Sequence, residues 1–267
     1  MGVALKVQNL RASVGSVEIL RGVDLEIPFG QMHALMGPNG SGKSTLCHVL
    51  SGHPDFTAEG KAWVDGEEIL DLGADQRARL GLVQAFQSPV AVPGVELEEI
   101  MQEAAEERGI DPDEADRRIA EASRRFDMGP FLGRSVNDDL SGGEKKRSEI
   151  FQISVLSPKA ALLDETDSGL DIDMVRTVAA AVEEMRRPDM GVLMITHHSR
   201  ILSYVIPDRV HVMMGGKIVT SGGPDLAQEL EQSGYEGLRK RLGITSAGAD
   251  TTPKPAFDFF TDHPFSS

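Results

Sequence analysis

The stretch of sequence that decides the fold is Gly37-Pro38-Asn39-Gly40-Ser41-Gly42-Lys43-Ser44, followed by Thr45. It matches the pattern G-x-x-x-x-G-K-[ST] of a phosphate-binding loop. The mostly apolar run 31–36 precedes it as a buried strand would. Leu46 and Leu50 follow it at the i, i+4 spacing of a helix, which Gly52 and Pro54 close. Glycines let the loop turn its N–H groups inward at the start of that helix, so this order of elements predicts a polyphosphate site.

Two side chains at the end of the motif have the chemistry that a nucleoside triphosphate requires. Lys43 is predicted to reach the β- and γ-phosphates, and the Ser44 hydroxyl is predicted to bind Mg²⁺. The backbone of the whole loop, from residue 37 to residue 45, is predicted to surround the phosphates.

Composition limits the classes of protein that the chain can represent. Its 267 residues are 40% hydrophobic and 26% charged, which suits one or two soluble domains. No run of 18 apolar residues occurs and the first ten residues lack an apolar segment, so we expect a cytoplasmic protein without direct membrane insertion. A net charge of −15 argues against a nucleic-acid partner. Cys47 is the only cysteine, which excludes a disulfide within the chain and a cysteine-ligated cluster.

The spacing of apolar residues, glycines and prolines predicts strands at the start of the chain and alternating strands and helices afterwards. The predicted strands cover residues 3–7, 17–20, 23–27, 61–64, 81–86, 160–165, 191–196, 209–214 and 217–220. Helices are predicted over residues 96–127, 140–158, 172–187 and 224–242. Turns at Asp65-Gly66 and Gly215-Gly216 predict hairpins.

Two polar segments have the chemistry of a nucleotide site. Asp164 and Glu165 end an apolar strand, which is where a Mg²⁺-supporting carboxylate and a residue that orients water are expected. Ser141, Gly142 and Gly143 open a helix, with Ser141 as a good N-cap and glycines that leave N–H groups free for an anion. Taken alone, Ser-Gly-Gly is also an ordinary turn.

The segment 88–95 is apolar but is interrupted by Pro89 and Pro93. Proline cannot donate a backbone hydrogen bond, so the segment is expected to be neither a helix nor a central strand. It is either buried beneath the following helices or an exposed loop that a partner covers.

Taken together and in order, these motifs resemble the ATPase domain of the ABC superfamily over residues 1–240. The matching residues are Gly37–Ser44 as Walker A, Gln87 as the Q-loop glutamine, Ser141–Glu144 as the signature, Asp164 and Glu165 as Walker B with its catalytic glutamate, Ser168–Asp171 as the D-loop, and His197 as the switch histidine. The resemblance implies an α/β P-loop NTPase fold with a RecA-like core, an antiparallel β subdomain and an inserted helical subdomain at about 88–158. That ATPase domain would cover residues 1–242.

The resemblance also implies how the site works. Two copies would form an ATP-dependent head-to-tail dimer, in which each signature closes on the P-loop of the other copy. The implied catalytic residues are Glu165, His197 and Gln87, the implied Mg²⁺ ligands are Ser44, Gln87 and Asp164, and Ser141, Gly142, Gly143 and Asp171 would contact ATP. His198 is expected to be structural or exposed, and no aromatic residue near Val14 is available to stack on the base.

Within the superfamily, the chain resembles the SufC-type ATPases of the SUF iron–sulfur cluster assembly system. Glu144 stands where transporter ATPases usually carry glutamine, and Thr166 stands where they usually carry proline. This resemblance implies SufB- and SufD-like scaffold proteins as partners. The alternative is the ATP-binding subunit of an ABC membrane transporter, which would dock its partner at the same segment, 88–95. Residues 243–267 lie beyond the resemblance, and their composition predicts a mobile tail.

Overall fold

The computed structural model describes residues 2–197 and 199–244. His198 and residues 245–267 lie outside the described residues, so the expectations for them stay predictions. In the part that is described, no helix combines the length and the apolar character needed to cross a membrane.

The described residues form twelve strands and eight α-helices. The strands are β1 (Val3–Val14), β2 (Val17–Pro28), β3 (Met32–Met36), β4 (Phe56–Val64), β5 (Glu67–Glu68), β6 (Leu82–Ala85), β7 (Val92–Glu96), β8 (Ser135–Val136), β9 (Ala160–Asp164), β10 (Gly191–Ile195), β11 (Arg209–Met214) and β12 (Lys217–Gly222). The helices are α1 (Lys43–Ser51), α2 (Ala74–Leu80), α3 (Leu97–Glu106), α4 (Pro112–Arg125), α5 (Gly142–Leu156), α6 (Ile172–Met185), α7 (Ser199–Leu202) and α8 (Asp225–Leu242). All four predicted helical regions are confirmed, whereas α2 and α7 had not been predicted.

A six-stranded sheet in the order β12-β11-β3-β10-β9-β6 forms the centre of the molecule. Its neighbouring strands run parallel except in the β11–β12 hairpin, which turns at Gly215 and Gly216 as predicted. Every residue of β3, β9 and β10 is buried. Strands of a parallel sheet are covered on both faces, which explains why these segments are almost continuously apolar.

The chain begins with an antiparallel sheet in the order β2-β1-β4-β5. The prediction of three short strands in residues 3–27 was wrong, because β1 and β2 are each twelve residues long. Gly22 lies inside β2 with φ 95°, and Asn9 lies inside β1 with φ 45°. The register shifts between Val7 and Leu10. Gly22 therefore marks an irregularity of the sheet rather than the end of a strand.

The segment with two prolines contains a short strand, which agrees with the prediction that it is neither a helix nor a central strand. Among the described strands β7 pairs only with β8, and the register shifts between Val92 and Glu96, on either side of Pro93. An edge strand at an irregular register tolerates a proline that a central strand would not. Between β6 and β9 the chain also forms α3, α4 and α5. This is where a helical subdomain is predicted, and its boundaries stay a prediction.

Two apolar layers cover the central sheet. On one face, Leu35 and Leu162 pack with residues of α1 and of the antiparallel sheet. On the other face, Leu163 and Met194 pack with residues of α5 and α6. The fold class is therefore the one predicted: an α/β nucleotide-binding core with an antiparallel β sheet and inserted helices. Because both faces of the sheet are covered, a polar site open to solvent is expected at the ends of its strands.

Candidate functional site

A cavity of about 460 Å³ lies at the carboxyl edge of the central sheet. The phosphate-binding loop follows β3 there, Gln87 comes shortly after β6, and Glu165 and His197 come directly after β9 and β10. The residues that line the cavity are Asn39, Gly40, Gly42, Lys43, Ser44, Thr45, Gln87, Glu165, Ser168 and His197. The fold thus brings together side chains from four separate segments of the chain. The first and last of these residues, Asn39 and His197, are 158 positions apart in the sequence.

Packing and backbone geometry explain the glycines of the loop. A Cβ at Gly37 would lie 2.3 Å from the carbonyl oxygen of Met213, so the loop lies against β11 only because this side chain is absent. Gly42, the N-cap of α1, has φ 105° and supplies no side-chain cap. The first N–H groups of α1 are therefore left without side-chain capping partners, which is the arrangement that binds phosphate oxygens.

Lys43 is almost fully buried beneath the loop. Its Nζ donates to the carbonyl oxygens of Gly37 at 2.9 Å and of Pro38 at 3.2 Å. Burial lowers the pKa of Lys43, while the nearby carboxylates of Glu165 and Asp164 act in the opposite direction. The lysine charge is thus held by loop carbonyls at the floor of the cavity, within reach of a bound phosphate.

Ser44 and Asp164 form a pair of oxygen ligands beside the loop. The Ser44 hydroxyl donates to Oδ1 of Asp164 at 3.0 Å. A hydroxyl next to a carboxylate suits Mg²⁺, which usually takes one or two protein oxygens together with phosphate oxygens and water. No group of three or more His, Cys, Asp or Glu side chains that could hold a metal occurs among the described residues.

Burial raises the pKa of Asp164 to about 6, from an ordinary value of 3.8. Between about pH 4 and pH 6, the Asp164 carboxyl is mostly protonated in the folded protein and mostly ionised in the unfolded chain. It therefore lowers the free energy of unfolding increasingly as the pH rises through this range. We expect Asp164→Asn to raise the melting temperature of the nucleotide-free protein at pH 7.5, by the equivalent of about 2–3 kcal/mol. At pH 5 the gain should shrink to about half.

The measurement is a pair of thermal melts at the two pH values. Asp139→Asn is the matched control, because Asp139 is exposed and asparagine also accepts its positive φ. A gain that is equal at both pH values would contradict burial of the Asp164 carboxyl as its cause.

Glu165 joins the other two predicted catalytic residues. Gln87 donates from Nε2 to Oε2 of Glu165 at 2.7 Å, and Nδ1 of His197 lies 3.2 Å from Oε1. Glu165 is buried and has φ 47°, a left-handed conformation that is unfavourable for a residue with a side chain. Its N–H donates to the carbonyl of Ile195 at 3.0 Å, which ties this strained residue to β10. Strained backbone of this kind is concentrated at functional sites.

The remaining predicted site residues do not line this cavity. Ser141 caps α5 by accepting from the N–H of Glu144, whose carboxylate accepts from the N–H of Ser141 in return. Gly143 is buried against α6, where a Cβ would lie 1.6 Å from Cε of Met174. Asp171 caps α6 by accepting from the N–H groups of Asp173 and Met174. Within one chain these residues have structural roles, and their contact with ATP stays a prediction.

Sequence reasoning missed three residues near the site. Ser168 lines the cavity, although only its D-loop motif had been noted. Lys146 donates to the carbonyl oxygens of Phe86 at 2.6 Å and of Gln87 at 2.7 Å, and Glu149 accepts from the N–H of Phe86 at 2.6 Å. No local signal distinguishes Lys146 and Glu149, because α5 carries other charged residues beside them, Glu144, Lys145 and Arg147.

A glycine-rich loop that opens a helix after a central strand, with carboxylates and a histidine at the same sheet edge, defines a P-loop nucleotide-binding protein. Comparison with known proteins identifies the class further. The profile of the ABC transporter family matches residues 20–168. Vegetative protein 296 of Bacillus subtilis is 43% identical over 247 residues, covering 90% of this chain and 95% of that protein.

Other relatives agree. A probable ABC transporter ATP-binding protein of Streptococcus pyogenes is 45% identical over 250 residues, covering 90% of this chain and 96% of that protein. A probable ATP-dependent transporter of Synechocystis is 45% identical over 247 residues, covering 89% and 96%. The solved ATP-binding subunit of an ABC transporter has the same fold, with a TM-score of 0.73 and 24% identity over 92% of this chain and 95% of that one. The chain belongs to the ABC transporter family, and it is an ATP-hydrolysing enzyme.

Proposed function

We propose that the chain is a SufC-type, Mg²⁺-dependent ATPase that dimerises on ATP and drives conformational change in a SufB/SufD-type scaffold during iron–sulfur cluster assembly. The observation that carries this proposal is the sequence after the signature and after Walker B. Glu144 stands where transporters usually have glutamine, and Thr166 stands where they usually have proline. Glu144 completes the cap of α5, and Asp167, the neighbour of Thr166, accepts from the hydroxyl of Thr196 at 2.9 Å.

Each predicted residue has a role in this proposal. The loop from residue 37 to residue 45 would hold the phosphates, and Ser44, Gln87 and Asp164 would hold Mg²⁺. Glu165 orients the attacking water as general base, and His197 contacts the γ-phosphate. Bound Mg²⁺ neutralises the charge that develops on the transferred phosphate.

The proposed dimer explains why the signature lies outside the cavity. Ser141, Gly142 and Gly143 are on the surface of the inserted helices or packed against α6, and Asp171 is exposed at the start of α6. In a head-to-tail dimer they would complete the site of the second copy, where the N–H groups at the start of α5 can bind the γ-phosphate.

The proposed docking surface for the scaffold is the segment 88–95, which follows Gln87, together with Phe86, which precedes it. Three large apolar side chains are exposed there: Phe86 at 43%, Val90 at 56% and Val92 at 39%. Exposed apolar side chains that lie close together are typical of surfaces that bind other proteins. Asn137, which is buried, donates to the carbonyl of Val90 at 3.1 Å and so holds the segment to the inserted helices.

We expect Val92→Asp to fold and bind ATP like the wild-type protein but to lose its protein partner, because a charge on an exposed residue costs the free protein little and a covered charge costs the complex much. The test is a thermal melt with MgATP, followed by purification with tagged SufB- and SufD-like proteins. Ile206→Asp is the matched control, because Ile206 is an exposed apolar residue outside the segment. A large loss of melting temperature, or wild-type partner binding, would remove this segment from the proposal.

The second candidate is an ATP-binding subunit of a membrane transporter, which is consistent with the names of the relatives. Both candidates share the ATPase site, so the partner distinguishes them. We expect the tagged chain, purified from its own cells with mild detergent, to bring down soluble SufB- and SufD-like proteins. Recovery of an integral membrane permease instead would establish the transporter function.

A further inference from the structure

Helix α5 directs two charged side chains into the interior, three residues apart. Lys146 is 4% exposed and Glu149 is 6% exposed, and their charged groups lie 3.5 Å from each other. Burial raises the pKa of Glu149 to about 7 and lowers the pKa of Lys146. Removing two charges from water usually costs about as much free energy as their mutual attraction regains. A protein with well-packed apolar residues in their place is therefore often equally stable. Stability alone therefore does not explain this pair.

The two side chains bind both the N–H donor and the C=O acceptors of a short backbone segment, residues 86–87. The Phe86 N–H donates to Oε1 of Glu149 at 2.6 Å. Nζ of Lys146 donates to the carbonyl oxygens of Phe86 at 2.6 Å and of Gln87 at 2.7 Å. Since three backbone groups of two consecutive residues are bound to one helix, neither the position nor the rotation of this peptide segment is free.

The segment in turn aims the side chain of Gln87 at the site. Nε2 of Gln87 lies 2.7 Å from Oε2 of Glu165, and Oε1 of Glu165 lies 3.2 Å from Nδ1 of His197. A continuous series of short polar contacts therefore runs from α5 through the backbone of residues 86–87 to Glu165. The same helix carries the signature residues at its start, at Ser141 and Gly142.

We propose that Lys146 and Glu149 are positioning residues, which fix the Gln87 side chain relative to Glu165 and make its position depend on the position of α5. A shift of α5, caused by ATP contact at its first turn, would move residues 86–87 with it, because the two side chains bind the backbone directly. This inference rests on the proposed role of Gln87 in hydrolysis.

The first test replaces the pair by apolar residues of similar size, Lys146→Met with Glu149→Leu, so that no unpaired charge stays buried. We expect kcat to fall about tenfold while the KM for ATP stays within about twofold, because the phosphate-binding loop is untouched. Faster amide hydrogen exchange at Phe86 should accompany this, since its N–H loses the Glu149 acceptor. Lys145→Met is the control and should change neither quantity.

A double-mutant cycle separates positioning from general destabilisation. In a Gln87→Ala background, the paired replacement should lower kcat no further, because residues that act through one another are not additive. Glu149→Gln, which keeps its shape, is the second variant if the pair folds poorly, and it should lower kcat in the same direction. Additive losses, or unchanged kcat in both variants, would overturn the positioning role. If Gln87→Ala itself left kcat unchanged, the proposed role of Gln87 would fail, and this inference with it.

Discussion

Glu165→Gln is expected to bind ATP with wild-type affinity and to hydrolyse it at least about 10²-fold more slowly. The amide keeps the shape of the side chain but loses the negative charge that accepts a proton from the attacking water. Backbone strain does not confound the comparison, because glutamine faces the same penalty as glutamate at φ 47°. The lost charge is also the one that faces Gln87 and His197.

Slow hydrolysis should also make the ATP-bound dimer persist. The mutant should elute as a dimer with MgATP and as a monomer without nucleotide, whereas the wild-type protein should return to monomer as ATP is consumed. Phosphate release and size-exclusion chromatography measure the two effects. Glu103→Gln is the control, because Glu103 is exposed on α3. Wild-type phosphate release by Glu165→Gln would remove this residue from catalysis.

Much of this arrangement could be predicted from sequence, because its signals are local. A parallel strand that is buried on both faces is an uninterrupted apolar run, and the polar residue that ends it must lie at the sheet edge. Residues 160–163 and 191–195 show this pattern, and residues 31–36 show it apart from Gln31 and His33. Asp164 and Glu165 could therefore be placed near the phosphate-binding loop from their position at the end of a strand, whereas the role of His197 follows from the resemblance to ABC ATPases. The cap at Ser141 was equally predictable, since it depends only on residues within one helical turn.

The features that were missed depend on contacts between distant segments. Gly22 reads as a break between strands, yet it lies within β2 because a sheet can absorb a left-handed residue as an irregularity. The pairing of β7 with β8 joins segments about 40 residues apart, and Pro89 and Pro93, before and within β7, argued against regular structure there. Lys146 and Glu149 read as an ordinary charged helix face, and only packing of α5 over residues 86–87 shows that they are buried. No local pattern encodes that packing.

We expect Lys43→Ala to weaken MgATP binding by about 10²-fold or more, which is the loss expected when a charged donor to phosphate is removed. The structure adds a second reason. Lys43 donates to the loop carbonyls of residues 37–38, and the carboxylates of Asp164 and Glu165 are close enough to raise its pKa. Without the lysine charge, those two carboxylates repel the phosphates more strongly, so the substitution removes an attraction and strengthens a repulsion.

Thermal melting with and without MgATP measures the effect directly, because a ligand that binds only the folded state raises the melting temperature with its concentration. The wild-type protein should show that rise, and Lys43→Ala should show almost none at the same nucleotide concentration. Lys61→Ala is the matched control, because Lys61 is an exposed lysine on β4, in the antiparallel sheet. A wild-type rise in Lys43→Ala would contradict the nucleotide site itself, since no other lysine lines the cavity among the described residues.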